Sequence, residues 1–185
     1  TFEALRQKRK LQLQKQMRKE ADMRQLGHGS YSEISDTKDF FAAAKKSAKL
    51  CVHFYRSVTP RCQIVDAHFE KLAHQHIECR FMKIDAEKNP YLVEKLGIIM
   101  MPTIVLVKDG HTDHSIIGFD EMGGTDDFTT DEMGFVLGHH EMIKFDKDLK
   151  EEIMNRAKRA GGVNTISIKS GQYAAETFSD DEDDF

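Results

Sequence analysis

Cys62 stands where a strand, a turn and a helix meet, in "CVHFYRSVTPRCQIVDAHFEKL" at 51–72, just behind Thr59, Pro60 and Arg61. "CVHFY" has the apolar continuity of a buried strand, and Ile64, Val65, His68, Phe69 and Leu72 recur at helical spacing after the turn. A thiolate at a helix N-terminus gains from the partial positive charge there, and Arg61 adds to it. Disulfide exchange by a dithiol needs a second cysteine at position 59, and that residue is threonine. A threonine hydroxyl ionises too weakly to attack, and an alkoxide does not make the sulfur–sulfur bond. Two readings of Cys62 stand at this point. It is either a half-buried small hydrophobe or the single thiol of a redox protein that forms mixed disulfides with glutathione or a peroxiredoxin.

The other chemistry-bearing residues give weaker patterns. Cys51 and Cys79 lie inside strand patterns and read as core, and the three scattered cysteines make no disulfide framework. Nine histidines include His74 and His76, His111 and His114, and the neighbours His139 and His140. None stands at a recurring zinc spacing from a Cys or His partner, so they read as surface or loop residues, and no metal or other cofactor is expected. No phosphate-binding glycine loop is present. The basic N-terminal stretch lacks interleaved aromatics and any reading module, which argues against a nucleic-acid partner. No apolar run is long enough to span a bilayer and no signal-peptide core is found, so a cytosolic or nuclear location without membrane attachment is expected.

Those residues need a scaffold, and the composition shows that not all of the chain belongs to it. Of 185 residues, 39% are hydrophobic and 31% charged, so part of the length lies outside any core. The net charge of −4 hides a marked asymmetry. Eight bases run from Arg6 to Arg24 against three acids, Glu3, Glu20 and Asp22, whereas the last ten residues carry six acids and no base. Charged arms of this kind are common in proteins that bind other macromolecules.

Residues 1–26 are strong helix formers with no Gly or Pro, and Leu13, Met17 and Ala21 make a narrow apolar stripe at i, i+4 spacing. Arg9, Lys10, Leu13, Met17 and Arg18 are therefore candidates for partner contact. Residues 27–35 read as a linker with a short extended piece. The main domain is expected over 36–145. Asp36 caps its first helix, "LCVHFY", "CRFMKID", "PTIVLVKDG" and "HSIIGF" supply strands, and "PYLVEKLGI" supplies a short helix. Thr129 and Glu132 form a capping box for "TTDEMGFVLG". Alternating strands and helices followed by a turn-linked strand pair indicate an α/β sandwich. An acidic loop holds Asp120, Glu121, Asp126 and Asp127, a second candidate docking surface. An exposed helix is expected over 146–162, with Leu149, Ile153 and Ala157 on one face, and a disordered acidic tail over 163–185.

Lys83 in "MKIDAEKNP", the run "GIIMMPTIVLVKDG" and Gly118 in "IIGF" resemble the thioredoxin family in order and spacing, from about 36 to 138. The resemblance implies a thioredoxin-like three-layer sandwich with Met101-Pro102 as its cis-proline. Laid on the family, Thr59-Pro60-Arg61-Cys62 covers its Cys-Gly-Pro-Cys, and His53 covers its buried acid. Two parts of the dithiol machinery are thus replaced, and the resemblance implies a scaffold with a degenerate site rather than an enzyme. The whole layout, from charged helix through "GFDEMGGTDDFTT" to the acidic end, resembles the phosducin-like branch of that family. That branch implies a co-chaperone of the CCT (TRiC) chaperonin, tuning its ATPase and its folding of actin and tubulin. Cytoplasmic and nuclear location, with centrosome and midbody association, is implied as well. An adapter that binds tubulin or a G protein without the chaperonin is a further reading.

Overall fold

The computed structural model describes residues 1–145 and Glu152. The expected helix over 146–162 and the tail over 163–185 lie outside the described residues. The chain opens with α1 (Phe2–Gln25), followed by β1 (Tyr31–Ile34), α2 (Thr37–Lys46), β2 (Lys49–Tyr55), α3 (Arg61–Gln75) and β3 (Arg80–Asp85). Then come α4 (Pro90–Lys95), β4 (Thr103–Lys108), β5 (His111–Ile117), a 3-10 turn (Asp120–Met122) and α5 (Thr130–His139).

One five-stranded sheet runs in the order β1-β3-β2-β4-β5. β1 and β2 flank β3 in parallel, while β4 lies antiparallel to both β2 and β5. Its centre is buried on both faces, which is why β2 reads as a continuous apolar run. Residues 50, 52 and 54 pack with Phe40, Ala43, Ala44 and Leu92 on the α2/α4 side. Cys51, Phe81, Ile104 and Leu106 pack with Val65, Phe69, Met133 and Leu137 on the α3/α5 side. The alternation follows from the two-residue period of a strand.

Local signals set the ends. The Asp36 carboxylate accepts from Asp39 N at 2.9 Å and opens α2. Thr129 and Glu132 cap α5 reciprocally, side chain to backbone in both directions. Asp109 and Gly110, at φ 49° and 79°, make the tight β4–β5 turn whose two central residues need positive φ.

The short extended piece expected within the linker 27–35 is a strand of the sheet. Tyr31–Ile34 pairs with Phe81–Ile84 as the edge strand of the sheet. Upstream of it His28 is buried, its ring contacting the Ile77 carbonyl at 2.7 Å and Ser47 Oγ at 3.0 Å. Four residues of mixed polarity between glycines and serines give no periodicity to read; the pairing comes from β3, far along the chain. α1 is a single helix as expected, and none of its residues is buried.

Candidate functional site

The site forms where β2 ends and α3 begins. Pairing of Phe54 with Thr103 brings the loop before β4 alongside, and Met101-Pro102 there is cis, with Pro102 buried. Pro60 precedes the first turn of α3, and the Cys62 N–H donates to the Thr59 carbonyl at 3.1 Å. Thr59 is half-buried and Cys62 only 2% exposed. Arg61, expected to assist the thiol, is committed to Asp126 through Nε at 2.9 Å, with its guanidinium 5.5 Å from the Phe119 ring.

The thiol itself is poorly placed to react. Burial pushes the Cys62 thiol up, and the negative charge of Asp66 adds to that against a backbone hydrogen bond at Arg56. A helix N-terminus alone therefore does not activate it. Cys51 and Cys79 are fully buried with their sulfurs 3.5 Å apart, as core residues.

Beneath Cys62 lies a polar cluster that only partly showed in the sequence. Tyr31 donates to Asp66 Oδ1 at 2.6 Å, and His53 Nδ1 lies 3.2 Å from the same oxygen and 3.0 Å from the Tyr31 hydroxyl. Lys83 Nζ is 3.5 Å from Asp66 Oδ2 and stacks over the Tyr31 and Tyr55 rings at 5.7 and 5.1 Å. His53 is fully buried and its Nε2 has no partner among the described residues. A proton there would be an unsatisfied buried charge, so the ring is neutral with Nδ1–H toward Asp66. Burial accordingly holds His53 below its ordinary value, outweighing the attraction of Asp66. For Asp66, burial works upward, but hydrogen bonds from His53 and Tyr31 and the charge of Lys83 win and hold the carboxyl low. The acid expected on β2 is thus replaced by one on α3. Asp66 is four residues after Cys62, one helical turn on the same face, and that spacing was the signal available for it.

The candidate docking residues separate into different environments. Arg9, Lys10, Leu13, Met17 and Arg18 are all exposed on α1, Leu13 at 55% and Met17 at 68%. Asp120 and Asp127 are exposed, whereas Asp126 holds Arg61. Glu121 does not belong to a docking surface. It is 4% exposed and faces inward to His114 and His140, because the 3-10 turn rotates it toward β5. His114 is also buried, against the expectation of a surface histidine.

A family model described as thioredoxin matches residues 32–128. Thioredoxin domain-containing protein 9 of Mus musculus is 37% identical over 183 residues, 99% of this chain and 80% of its own length. The thioredoxin domain-containing protein 9 homolog of Arabidopsis thaliana is 44% identical over 145 residues, 78% of this chain and 68% of its own. Phosducin-like protein 3 of Drosophila melanogaster is 40% identical over 150 residues, covering 81% of this chain and 69% of its own. Among solved structures, a mutant thioredoxin from Halobacterium salinarum superposes with a TM-score of 0.53 at 19% identity, covering 64% of this chain and 95% of that one. That last likeness concerns the fold. With the thioredoxin fold present, the first cysteine of its dithiol replaced and the match to these relatives extending through α1, the chain belongs to the thioredoxin domain-containing protein 9 and phosducin-like family.

Proposed function

We propose that this protein is a co-chaperone that binds the CCT (TRiC) chaperonin and modulates its ATPase activity and its folding of actin and tubulin. In this reading the thioredoxin-like domain is a redox-inactive scaffold. The observation that carries it is α1: a helix of 24 residues, rich in bases, with no buried residue. An isolated helix is held by packing an apolar face, and α1 has none packed against the other described residues. Arg9, Leu13 and Met17 succeed one another at i, i+4 spacing, so one strip of the helix carries both charge and apolar surface. Such a strip suits an acidic, partly apolar groove on a partner. Asp120 and Asp127 offer a second, opposite-signed contact. Steering by the two charged regions favours fast encounter. Cytoplasmic and nuclear location, with centrosome and midbody association, belongs to the same proposal.

The test is binding to purified chaperonin by surface plasmon resonance, with tubulin or actin folding as second readout. Removing residues 1–26 should abolish most of the affinity and leave the domain folded by circular dichroism. Reversing Arg9, Lys10 and Arg18 to Glu should slow association more than it speeds dissociation, with the effect shrinking at high salt. Cys62→Ser should leave binding unchanged. Full affinity without residues 1–26, or loss of binding on Cys62→Ser, would overturn the proposal in favour of a thiol-dependent mechanism.

A further inference from the structure

On the opposite edge of the sheet from β1, three side chains from three elements converge. His114 comes from β5, Glu121 from the 3-10 turn and His140 from the C-terminal cap of α5. His114 Nε2 is 2.5 Å from Glu121 Oε1, and His140 Nε2 is 2.9 Å from Oε2. The two imidazoles stack with centroids 4.1 Å apart and planes inclined by 19°. The three potential ligand atoms all lie within 4.8 Å of one another. Side-chain exposures of 6%, 5% and 10% for His114, Glu121 and His140 show a cluster largely out of water, with His140 the most exposed of the three.

Charge makes this arrangement informative. Glu121 is a buried carboxylate, and among the described residues its ion pairs are with these two imidazoles and with no lysine or arginine. Two stacked imidazoles meeting a buried carboxylate bring three lone-pair donors to one point, and a divalent ion can take one from each of them. Two imidazole nitrogens and one carboxylate oxygen are the donors that hold zinc in open sites, with water in the remaining position. The geometry points to a divalent transition-metal site of the zinc class, with His114, Glu121 and His140 as its three protein ligands.

Ligands about 2.0–2.2 Å from one tetrahedral zinc stand roughly 3.3 Å apart, so the carboxylate, 2.5 and 2.9 Å from the two ring nitrogens, has to swing outward to admit the ion. On metal entry each Nε2 must offer a lone pair. A neutral ring does so by carrying its proton on Nδ1, and a charged ring by releasing one proton to solvent. Occupancy would tie the 3-10 turn and the end of α5 to β5, in the segment whose next acid, Asp126, holds Arg61 beside Cys62.

The full-length chain, stripped with chelator, should be titrated with Zn(II) by calorimetry and with Co(II) by absorption. One Zn(II) per chain is expected at micromolar affinity or tighter. Glu121→Gln and His140→Gln should each weaken it by at least about 10-fold, the loss typical of disturbed metal ligation. His140 is the most exposed of the three, so its variant reports even where Glu121→Gln folds poorly. Co(II) should give visible bands of a nitrogen and oxygen site without thiolate charge transfer. Binding unchanged in the His140→Gln variant, a thiolate band pointing to the cysteines, or no Zn(II) bound by the wild type at about 100 μM would overturn the assignment and leave a hydrogen-bonded clasp only.

Discussion

Replacing Thr59 by cysteine recreates a pair of thiols three residues apart and asks how much dithiol chemistry the surroundings still support. The first thiol of such a pair attacks and the second resolves the mixed disulfide. Position 59 is half-buried in the turn that opens α3, and Arg61, two residues on, is already paired with Asp126. A thiol there would keep an ordinary pKa. Near 8.5 it is about 3% ionised at pH 7, against about half for a thiol at 7, roughly a 15-fold deficit in thiolate. Its greater basicity makes each thiolate about 5-fold more nucleophilic, so attack falls only about 3-fold. The resolving step loses more. Burial and Asp66 push the Cys62 thiol above its ordinary value, so less of it is ionised at pH 7 than of a free thiol. His53, neutral and turned toward Asp66, does not supply the acid that assists this step. Thr59→Cys should therefore form a 59–62 disulfide with a mild oxidant yet reduce insulin with dithiothreitol at below about 5% of the rate of a dithiol thioredoxin. The unmodified chain should give no turnover above dithiothreitol alone. Turnover by the unmodified chain would refute the reasoning. A variant within 3-fold of a thioredoxin would do so too, by showing that Asp66 performs the missing acid's work.

Burial holds both His28 and His53 below the ordinary 6.5, so the unfolded chain binds more protons than the native one as the pH drops past that value. Stability should be complete above about pH 6.5 and decline from there toward 5, and His28→Gln should flatten part of that slope in urea melts; a stability that fell on going from pH 6 to 8 would contradict this. Thr129→Ala removes one half of the capping box of α5 and should cost about 1 kcal/mol in denaturant midpoint while leaving α1-dependent binding intact. The two glycines of α5 should answer differently. At Gly134 an added Cβ meets the flexible end of Phe145 at 3.3 Å, so alanine should stabilise by up to about 1 kcal/mol through helix propensity. At Gly138 it would come within 2.5 Å of the Phe145 Cβ, so strain of about 1–3 kcal/mol should cancel or exceed that gain. Equal responses at the two positions would show that Phe145 does not pack there as described.

What could be read from the sequence was what depends on neighbours along the chain. The β2 run, the Asp36 cap, the capping box at Thr129 and the Asp-Gly turn each carry their cause within a few residues, and each appeared where expected. Tyr31–Ile34 was legible only as a short extended piece in a linker, because its place in the sheet depends on the backbone of Phe81–Ile84. The same distance hid the polar clusters. His114, Glu121 and His140 are seven and nineteen residues apart, spacings with no periodicity that a helix or strand would impose. Counted as loop acid and loop histidines, they looked exposed; in the fold they hydrogen-bond to one another and are buried. Asp66 was overlooked for a different reason. The family pattern directed attention to position 53 on β2, whereas the carboxylate that meets Tyr31 and Lys83 comes from the helix.

The degenerate site and the docking helix are also joined mechanically. Tyr31, the residue that caps Asp66, begins β1, and α1 ends only six residues earlier. Between them Gly27 takes φ 100°, and His28 is fixed to the Ile77 carbonyl and Ser47. The carbonyl of Met23 in α1 accepts from the His28 N–H at 3.1 Å, so the last turn of the helix is held to the same anchor. The His28 anchor therefore sets where α1 leaves the domain, three residues before the Tyr31 that binds Asp66. On this account Tyr31→Phe, which keeps the ring against Phe69 and removes the hydroxyl from Asp66, should loosen β1 and the root of α1 before the rest of the sheet. Hydrogen exchange should report it as faster exchange confined to about residues 26–34, since segments held by few contacts open locally. Uniformly faster exchange across all five strands would show instead that Tyr31 supports the whole core and has no particular hold on the helix.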